Sequence, residues 1–401
     1  MKKFLLVVQI FLVFPLILLL FFLKIFLKIK IIEFETRRIG HSSLPMEIFL
    51  CEKLNGIFGK NNIYLSYRNN FISNTYLFNK LKNNFIILPN FILKPIFIFL
   101  NYKIVYQIIG KFFVSDYRHW SKRRNYNEPW QENDVHECLK KTAPIIKFNN
   151  KEITNGNSCL NKLGIKENDE YVCFHHRSPH YYLNNKVISE FKYNLRDIRN
   201  FSYNSTYQFL LDKKKKIVQM GYHDEDSYNS EIIYYNSEKI NNSFLDIYLL
   251  FGCKYMITDG AGIANVALMN RKKRLYINYS GIYNINISDS FYTPFIMLKK
   301  FKSLKTGKFV HYSEVLEKKL SNFLFVKDLN EFGYDIVDNN DEETYQACLE
   351  MDNFIENNEY NFINEKYQMK FNQLLNYFKI PELKQSKISS YFLFKNIDLI
   401  Q

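Results

Sequence analysis

Lys254-Tyr-Met-Ile-Thr-Asp259-Gly260-Ala261-Gly262-Ile-Ala-Asn-Val-Ala-Leu-Met269 is the stretch that decides the fold. Lys254–Thr258 is an apolar run of strand length, Asp259–Gly262 is a tight turn, and Ile263–Met269 is a helical run. Strand, turn and helix in that order form the repeating unit of a parallel α/β sheet. The next strand is expected at Leu275–Asn278. Upstream, Ser243-Phe-Leu-Asp246 reads as an S-x-x-D capping box that opens a helix. Before it come strands at Ile232–Tyr235 and at Ile217–Met220, the latter closed by Gly221. A helix is expected at Ser205–Leu211, and a strand at Tyr171–His176 that ends in Arg177. Downstream, Glu342–Asn357 and Asn364–Phe378 are helical.

The same rhythm occurs nearer the N-terminus. Ile31–Glu35, Asn62–Tyr67 and Phe85–Leu88 read as strands, with helices at Met46–Leu54 and Asn74–Leu81. Between the two runs, Asp116 to Gly164 is polar and poorly periodic, and the domain junction is expected within it. The chain therefore reads as two doubly wound, Rossmann-like α/β domains, 31–165 and 166–335, followed by C-terminal helices over 336–401.

Residues 1–30 read as an N-terminal membrane anchor. Phe4 to Leu23 is interrupted only by Gln9 and Pro15, long enough for a hydrocarbon core of about 30 Å. It runs into Lys24, Lys28 and Lys30 with no small-residue cleavage site, as an uncleaved anchor does. The basic excess after the segment puts the rest of the chain on the cytoplasmic side of the inner membrane. A second apolar stretch, 85–114, carries Pro89, Pro95, Asn101, Lys103 and Gln107, too many interruptions for a span. It reads equally as a core helix or as a helix on the membrane surface.

Among 401 residues the net charge is +14. Seven basic and two acidic residues lie between Met1 and Arg38, and seven basic residues face only Asp116 between Lys94 and Arg124. Basic charge beside apolar sequence suits anionic lipid headgroups. No finger, RNP motif or basic recognition helix is present, so nucleic acid is not expected as a partner. The six cysteines are scattered without C-x-x-C pairs, which argues against structural zinc and a disulfide framework.

Ligands of open α/β sheets bind outside the carboxyl ends of the strands. Three loops qualify. In Arg37-Arg38-Ile39-Gly40-His41, Gly40 permits a sharp turn that places His41 at the strand's end as a candidate general base. In His175-His176-Arg177-Ser178-Pro179-His180, Arg177 is a candidate for bidentate grip on phosphate oxygens, or for pairing with a neighbouring carboxylate. Adjacent strand residues face opposite ways, so His175 and His176 make a poor metal pair. In Asp259-Gly260-Ala261-Gly262, backbone N–H groups beside a helix start are suited to an anion. The dinucleotide fingerprint fails, because Asn265 stands where its last glycine or alanine belongs, and no nicotinamide cofactor is expected.

Arg38-Ile-Gly-His41, Tyr171-Val-Cys-Phe-His-His-Arg177, Asp197-Ile-Arg199-Asn200, Val218-Gln-Met-Gly221, Ser243-Phe-Leu-Asp-Ile-Tyr248 and Asp259-Gly-Ala-Gly262 occur in that order. Together, with the tail Lys387-Ile-Ser-Ser-Tyr-Phe392, they resemble a poorly characterised bacterial family of glycosyltransferases of GT-B type. Phe244–Ala267 is also similar to the GDP-fucose-using fucosyltransferases. The resemblance implies two domains facing a cleft, and a UDP- or GDP-linked sugar on the C-terminal one. The donor's phosphates would be held by Arg177, Gly260 and Gly262 with Asp259 near the ribose, and Arg38 and Arg199 would contact phosphate or acceptor. His41 would deprotonate a glycan or lipid-linked acceptor, giving inverting, metal-independent transfer in bacterial polysaccharide biosynthesis. Gln219 stands where the family has arginine, and Asp259 where it has a Ser-Gly turn. These departures motivate the alternative of a non-catalytic membrane-associated scaffold.

Overall fold

A computed structural model describes residues 2–59, 61–68, 70–102, 105–113, 134, 136–178, 193–199, 203–221, 229–237, 242–287, 289–360 and 365–400, with backbone only at 2–13, 109, 111, 237, 286 and 287. The chain divides into two compact units, Met1–Lys147 and Phe148–Gln401.

In the first unit, β1 (Lys28–Phe34), β2 (Asn62–Arg68) and β3 (Ile86–Ile87) form a parallel sheet in the order β1-β2-β3. Its longer helices are α1 (Lys2–Phe26), α2 (Ile39–Leu54), α3 (Thr75–Leu81) and α4 (Asn90–Leu100). Strand alternation sorts the core into two layers. Ile29, Ile31, Leu65 and Tyr67 pack with Ile17 of α1 and with Leu93, Ile96, Phe97 and Leu100 of α4. Phe34 meets Phe78 of α3 at 5.3 Å, and Tyr64 meets Phe49 of α2 at 5.0 Å.

Two expectations are corrected here. Residues 1–30 do not stand apart as an anchor: from Leu16 onward α1 contributes Leu16, Ile17, Leu20, Phe21 and Leu23 to the first unit's core. Among the described residues no helix is long and apolar enough to cross a membrane. Second, Arg38 to Ser43 is not a loop. α2 starts at Ile39, seven residues earlier than the apolar pattern indicates, with Gly40 inside its first turn. The Ser42 and Ser43 hydroxyls donate to carbonyls three and four residues back, which suits them to a helix that apolar periodicity does not mark. The apolar stretch at 85–114 supplies α4, which buries Leu93, Ile96, Phe97 and Leu100 in the core; residues 103, 104 and 114 of that stretch lie outside the described residues.

The second unit holds β4 (Tyr171–His175), β5 (Lys216–Met220), β6 (Ile232–Tyr234), β7 (Tyr255–Thr258), β8 (Lys273–Tyr279), β9 (Phe295–Leu298) and β12 (Lys387–Ile388) in one parallel sheet. Their order is β12-β9-β8-β7-β4-β5-β6, and β10 (Lys300–Ser303) pairs antiparallel with β11 (Tyr334–Val337) outside it. Its helices include α5 (Asn150–Lys162), α6 (Asn204–Asp212), α7 (Ser243–Gly252), α8 (Ile263–Met269), α9 (Asp341–Asn357), α10 (Glu365–Tyr377) and α11 (Ser390–Lys395).

The division at 147/148 differs from the expected 165/166 because α5 packs on α7. At Gly156 a Cβ atom would lie 2.3 Å from the Tyr248 ring, so only glycine allows that approach. Residues 336–401 likewise join the second unit, as β12 extends its sheet beside β9. The expected capping box is also corrected. Asn242 caps α7 by accepting from the N–H groups of Phe244 and Leu245 at 3.0 Å, while Asp246 accepts from the Tyr235 hydroxyl at 2.9 Å.

Glu350 on α9 fastens the C-terminal segment. Its carboxylate accepts from the Ser389 hydroxyl (3.2 Å) and from the N–H groups of Ser390 (3.0 Å) and Tyr391 (2.8 Å). Burial outweighs these bonds and pushes the carboxyl up from 4.5 to about 7. The folded state therefore binds this proton more tightly than the unfolded state. Its contribution to stability is present below pH 4.5 and is lost as pH rises to about 7. Denaturant midpoints of the second unit should fall between pH 5 and pH 7.5, and Glu350→Gln should flatten that slope. An unchanged slope in the variant would assign it to another group.

Candidate functional site

The second unit's strand order reverses at β4. The chain runs outward through β5 and β6, then returns to β7 on the other side and continues to β8 and β9. The connections leaving β4 and β7 diverge there, which opens a crevice at the carboxyl ends of these strands. Pairing of His175 with Thr258 brings His175-His176-Arg177 beside Asp259-Gly260-Ala261-Gly262.

Asp259 joins the two loops. Its buried carboxylate accepts from the Arg177 N–H through Oδ2 and from the Ala261 N–H through Oδ1 at 3.2 Å. His175 Nδ1 lies 3.8 Å from Oδ1. Burial alone would raise this carboxyl, but His175 and then the Arg177 N–H and charge hold it below the usual carboxylate range. An ionised Asp259 is thus turned inward as a clasp between loops, not outward toward a ribose. The turn after it needs glycine: Gly260 has φ +82°, and a Cβ there would lie 3.3 Å from the Tyr279 ring. Gly262 is the N-cap of α8 in ordinary helical geometry. On the neighbouring strand's end, a Cβ at Gly221 (φ +96°) would lie 3.0 Å from the His175 imidazole.

Of the two expected roles for Arg177, the structure places the guanidinium on a carboxylate. Nε donates to Asp197 Oδ1 at 2.8 Å, with side-chain exposures of 11 % and 0 %. Asp197 also accepts the Asn194 N–H at 2.7 Å, and its carbonyl accepts from Lys299 Nζ at 2.6 Å. Burial, followed by Arg196, lowers Arg177 to about 10 against the pull of Asp197 and Asp259, so it stays charged at neutral pH. Burial raises Asp197 despite Arg177. Arg199 is drawn to a different partner: its guanidinium lies 3.2 Å from Asp335, and its N–H donates to Asp338 at 2.7 Å. Gln219 is buried, accepting from the Tyr207 hydroxyl and meeting His176 Nδ1, both at 3.2 Å. It ties β5 to α6 and to the end of β4. His175 and His176 thus point to different neighbours; His180 and Asn200 lie outside the described residues.

In the first unit Arg38 is the N-cap residue of α2, and its carbonyl accepts from the N–H groups of His41 and Ser42 at 3.1 Å. His41 therefore stands in the helix's first turn, half-buried. Glu35, raised by burial, is held below its ordinary value by Arg37, whose side chain and N–H it accepts, and by the nearby His41. Glu33, buried on β1 beside Tyr67, is shifted upward by burial. The reading of the sequence did not place Glu35 near His41, although an acid just past the end of an apolar strand was a visible signal. It also missed a cavity of about 430 Å³ at the ends of β2 and β3, lined by Arg68, Ile72, Thr75, Phe78, Lys82 and Ile87. Arg68 and Lys82 both stand 6.0 Å from the Phe78 ring centre.

No family model matches the chain, and no curated protein matches it. Among solved structures it is similar to the E. coli ADP-heptose lipopolysaccharide heptosyltransferase II, with TM-score 0.32 and 12 % identity over 62 % of this chain and 84 % of that one. It is also similar to the dodecameric iron-containing heptosyltransferase TibC in complex with ADP-D-β-D-heptose, with TM-score 0.33 and 10 % identity over 64 % and 61 %. Both likenesses are distant, and neither fixes the chemistry of this chain.

Removing Arg177 leaves Asp197 charged and buried without its cation. Arg177→Ala should therefore lower stability by about 3–5 kcal/mol. Asp197→Asn in the same chain should recover part of that loss, read as denaturant midpoints in a double-mutant cycle. Additive losses would mean the two side chains do not act as a pair.

Proposed function

We propose that the chain is a glycosyltransferase that moves a sugar from a nucleotide-diphosphate donor to a glycan or lipid-linked acceptor. The observation that carries this reading is the pairing of Arg177 and the Asp259–Gly262 turn at the strand-order reversal of a doubly wound parallel sheet. The donor is bound by the second unit. Glycosyl transfer builds negative charge on the departing diphosphate, and fixed N–H groups around Gly260 and Gly262, with the charge of Arg177, lower the barrier where that charge develops. Arg177 shares its guanidinium between this task and Asp197. The acceptor is bound by the first unit, where the cavity lined by Arg68 and Lys82 suits an acceptor bearing an anionic group. His41 takes the proton of the attacking hydroxyl, the new C–O bond forms opposite the leaving diphosphate, and the anomeric centre inverts. Arg38 and Arg199 are kept as further phosphate or acceptor contacts in this reading, with no metal required. The enzyme works at the cytoplasmic face of the inner membrane, held there by its N-terminal apolar segment.

The Arg177–Asp197 ion pair also favours a second reading, a membrane-associated scaffold whose donor site has become structural.

Titration calorimetry with UDP, GDP and ADP separates the two readings. The enzyme should bind at least one nucleotide with a Kd below millimolar. Gly260→Val, strained at φ +82° and pressed on Tyr279, should weaken binding at least tenfold. His41→Ala should keep that affinity while release of nucleotide from a sugar donor falls at least a hundredfold. No binding of any nucleotide at millimolar concentration leaves the scaffold, and full transfer by His41→Ala moves the base to another residue.

A further inference from the structure

The outer side of the layer formed by α1, α4 and the helical segment at 106–113 is apolar. While Ile17 and Phe21 of α1 face the first unit's core, Phe14, Leu18, Phe22 and Phe26 follow one another every four residues and are exposed. Phe22 is 59 % and Ile25 74 % exposed. Phe113 packs edge-on against Phe21 at 4.6 Å, which brings the exposed Phe112 next to Lys24, whose Nζ donates to the Phe112 carbonyl. Ile108 in the same helical segment is 64 % exposed, and Phe91 at the start of α4 is 78 % exposed. Scattered exposed apolar residues need no explanation, but a group of this size on one layer marks an interaction surface.

Its border carries basic residues: Lys24 near the end of α1 and Lys94 on α4. An apolar face edged by lysines complements the acyl boundary of a bilayer and the anionic headgroups above it. The occupant is therefore a lipid surface. The mode of insertion follows from the packing of α1. Leu16, Ile17, Leu20, Phe21 and Leu23 are committed to the core while Leu18 and Phe22 on the other side are exposed, so this part of the helix lies along the protein with one face outward.

We infer that this protein is held at the membrane in the plane of one leaflet, by the outer face of α1 with Phe91, Ile108 and Phe112, and not by a helix that crosses the bilayer. The inference deepens the membrane association proposed above and is independent of the sugar chemistry.

The test uses the full chain, purified in detergent and exchanged onto sealed vesicles of phosphatidylcholine with 30 % phosphatidylglycerol. Flotation should show binding that falls at least fivefold in Phe22→Glu/Ile25→Glu and in pure phosphatidylcholine. Leu54→Glu, an exposed apolar position on α2, should bind as the parent does. Lys2→Cys should remain reactive to a membrane-impermeant maleimide added outside the bound vesicles. Protection of that cysteine overturns the proposal in favour of a span, and unchanged binding by Phe22→Glu/Ile25→Glu overturns the lipid face itself. Nucleotide titration of the same Phe22→Glu/Ile25→Glu protein reports separately on the donor site, so failure of one reading is not mistaken for failure of the other.

Discussion

The carboxylate of Asp259 holds together the part of the molecule on which any chemistry at the second unit depends. β4 and β7 are neighbours in the sheet, but their connections run in opposite directions, and nothing in sheet pairing alone fixes the loops that leave them. One buried anion accepting an N–H from each loop does so, with His175 close by and Gly221 allowing the imidazole its place. The clasp works because the carboxylate stays ionised in the interior. Its hydrogen bonds and the nearby positive groups oppose the burial that would otherwise protonate it.

A consequence is that the charges at this crevice are already partly balanced. Asp259 and Asp197 both act on Arg177, and Lys299 reaches both the carbonyl of Asp197 and the carboxylate of Asp338 at 2.6 and 2.7 Å. In the reading proposed above, a diphosphate arriving here would compete with Asp197 for the Arg177 guanidinium. Fixed backbone dipoles then matter more than net charge, since they need no rearrangement when charge develops on a leaving group. The glycines at 221 and 260 serve the same end, because each removes a Cβ that would press on His175 or Tyr279.

Local pattern made most of the second unit readable. The helix Ile263–Met269 is found at the expected bounds, and β5, β7 and α9 within a residue of theirs. The carboxyl-end placement of Arg177 and Asp259 followed from strand position alone. What was not readable depends on partners distant in sequence. Asp197 is twenty residues from Arg177, and its preference for that guanidinium over a ligand is set by tertiary packing. The start of α2 was hidden because Gly40, Ser42 and Ser43 lack apolar periodicity, although they are buried. β9 was missed because Phe295–Leu298, buried on both faces like β7, lacks the glycine turn and helix that follow and mark β7.

The N-terminal apolar run shows the same limit in another form. Composition and length alone favour a bilayer span, because they count residues without asking what each face of the helix touches. Once Ile17 and Phe21 are seen against β1 and α4, the run serves two solvents at once, a protein core on one side and an apolar exterior on the other. A helix shared this way cannot be withdrawn from the first unit without uncovering Ile29, Ile31 and Leu65. The cost of that exposure, about 25 cal/mol for each Å² of apolar surface returned to water, ties any membrane contact to the folded first unit. In the membrane reading proposed above, attachment to lipid and integrity of the first unit's core would rest on opposite faces of a single helix.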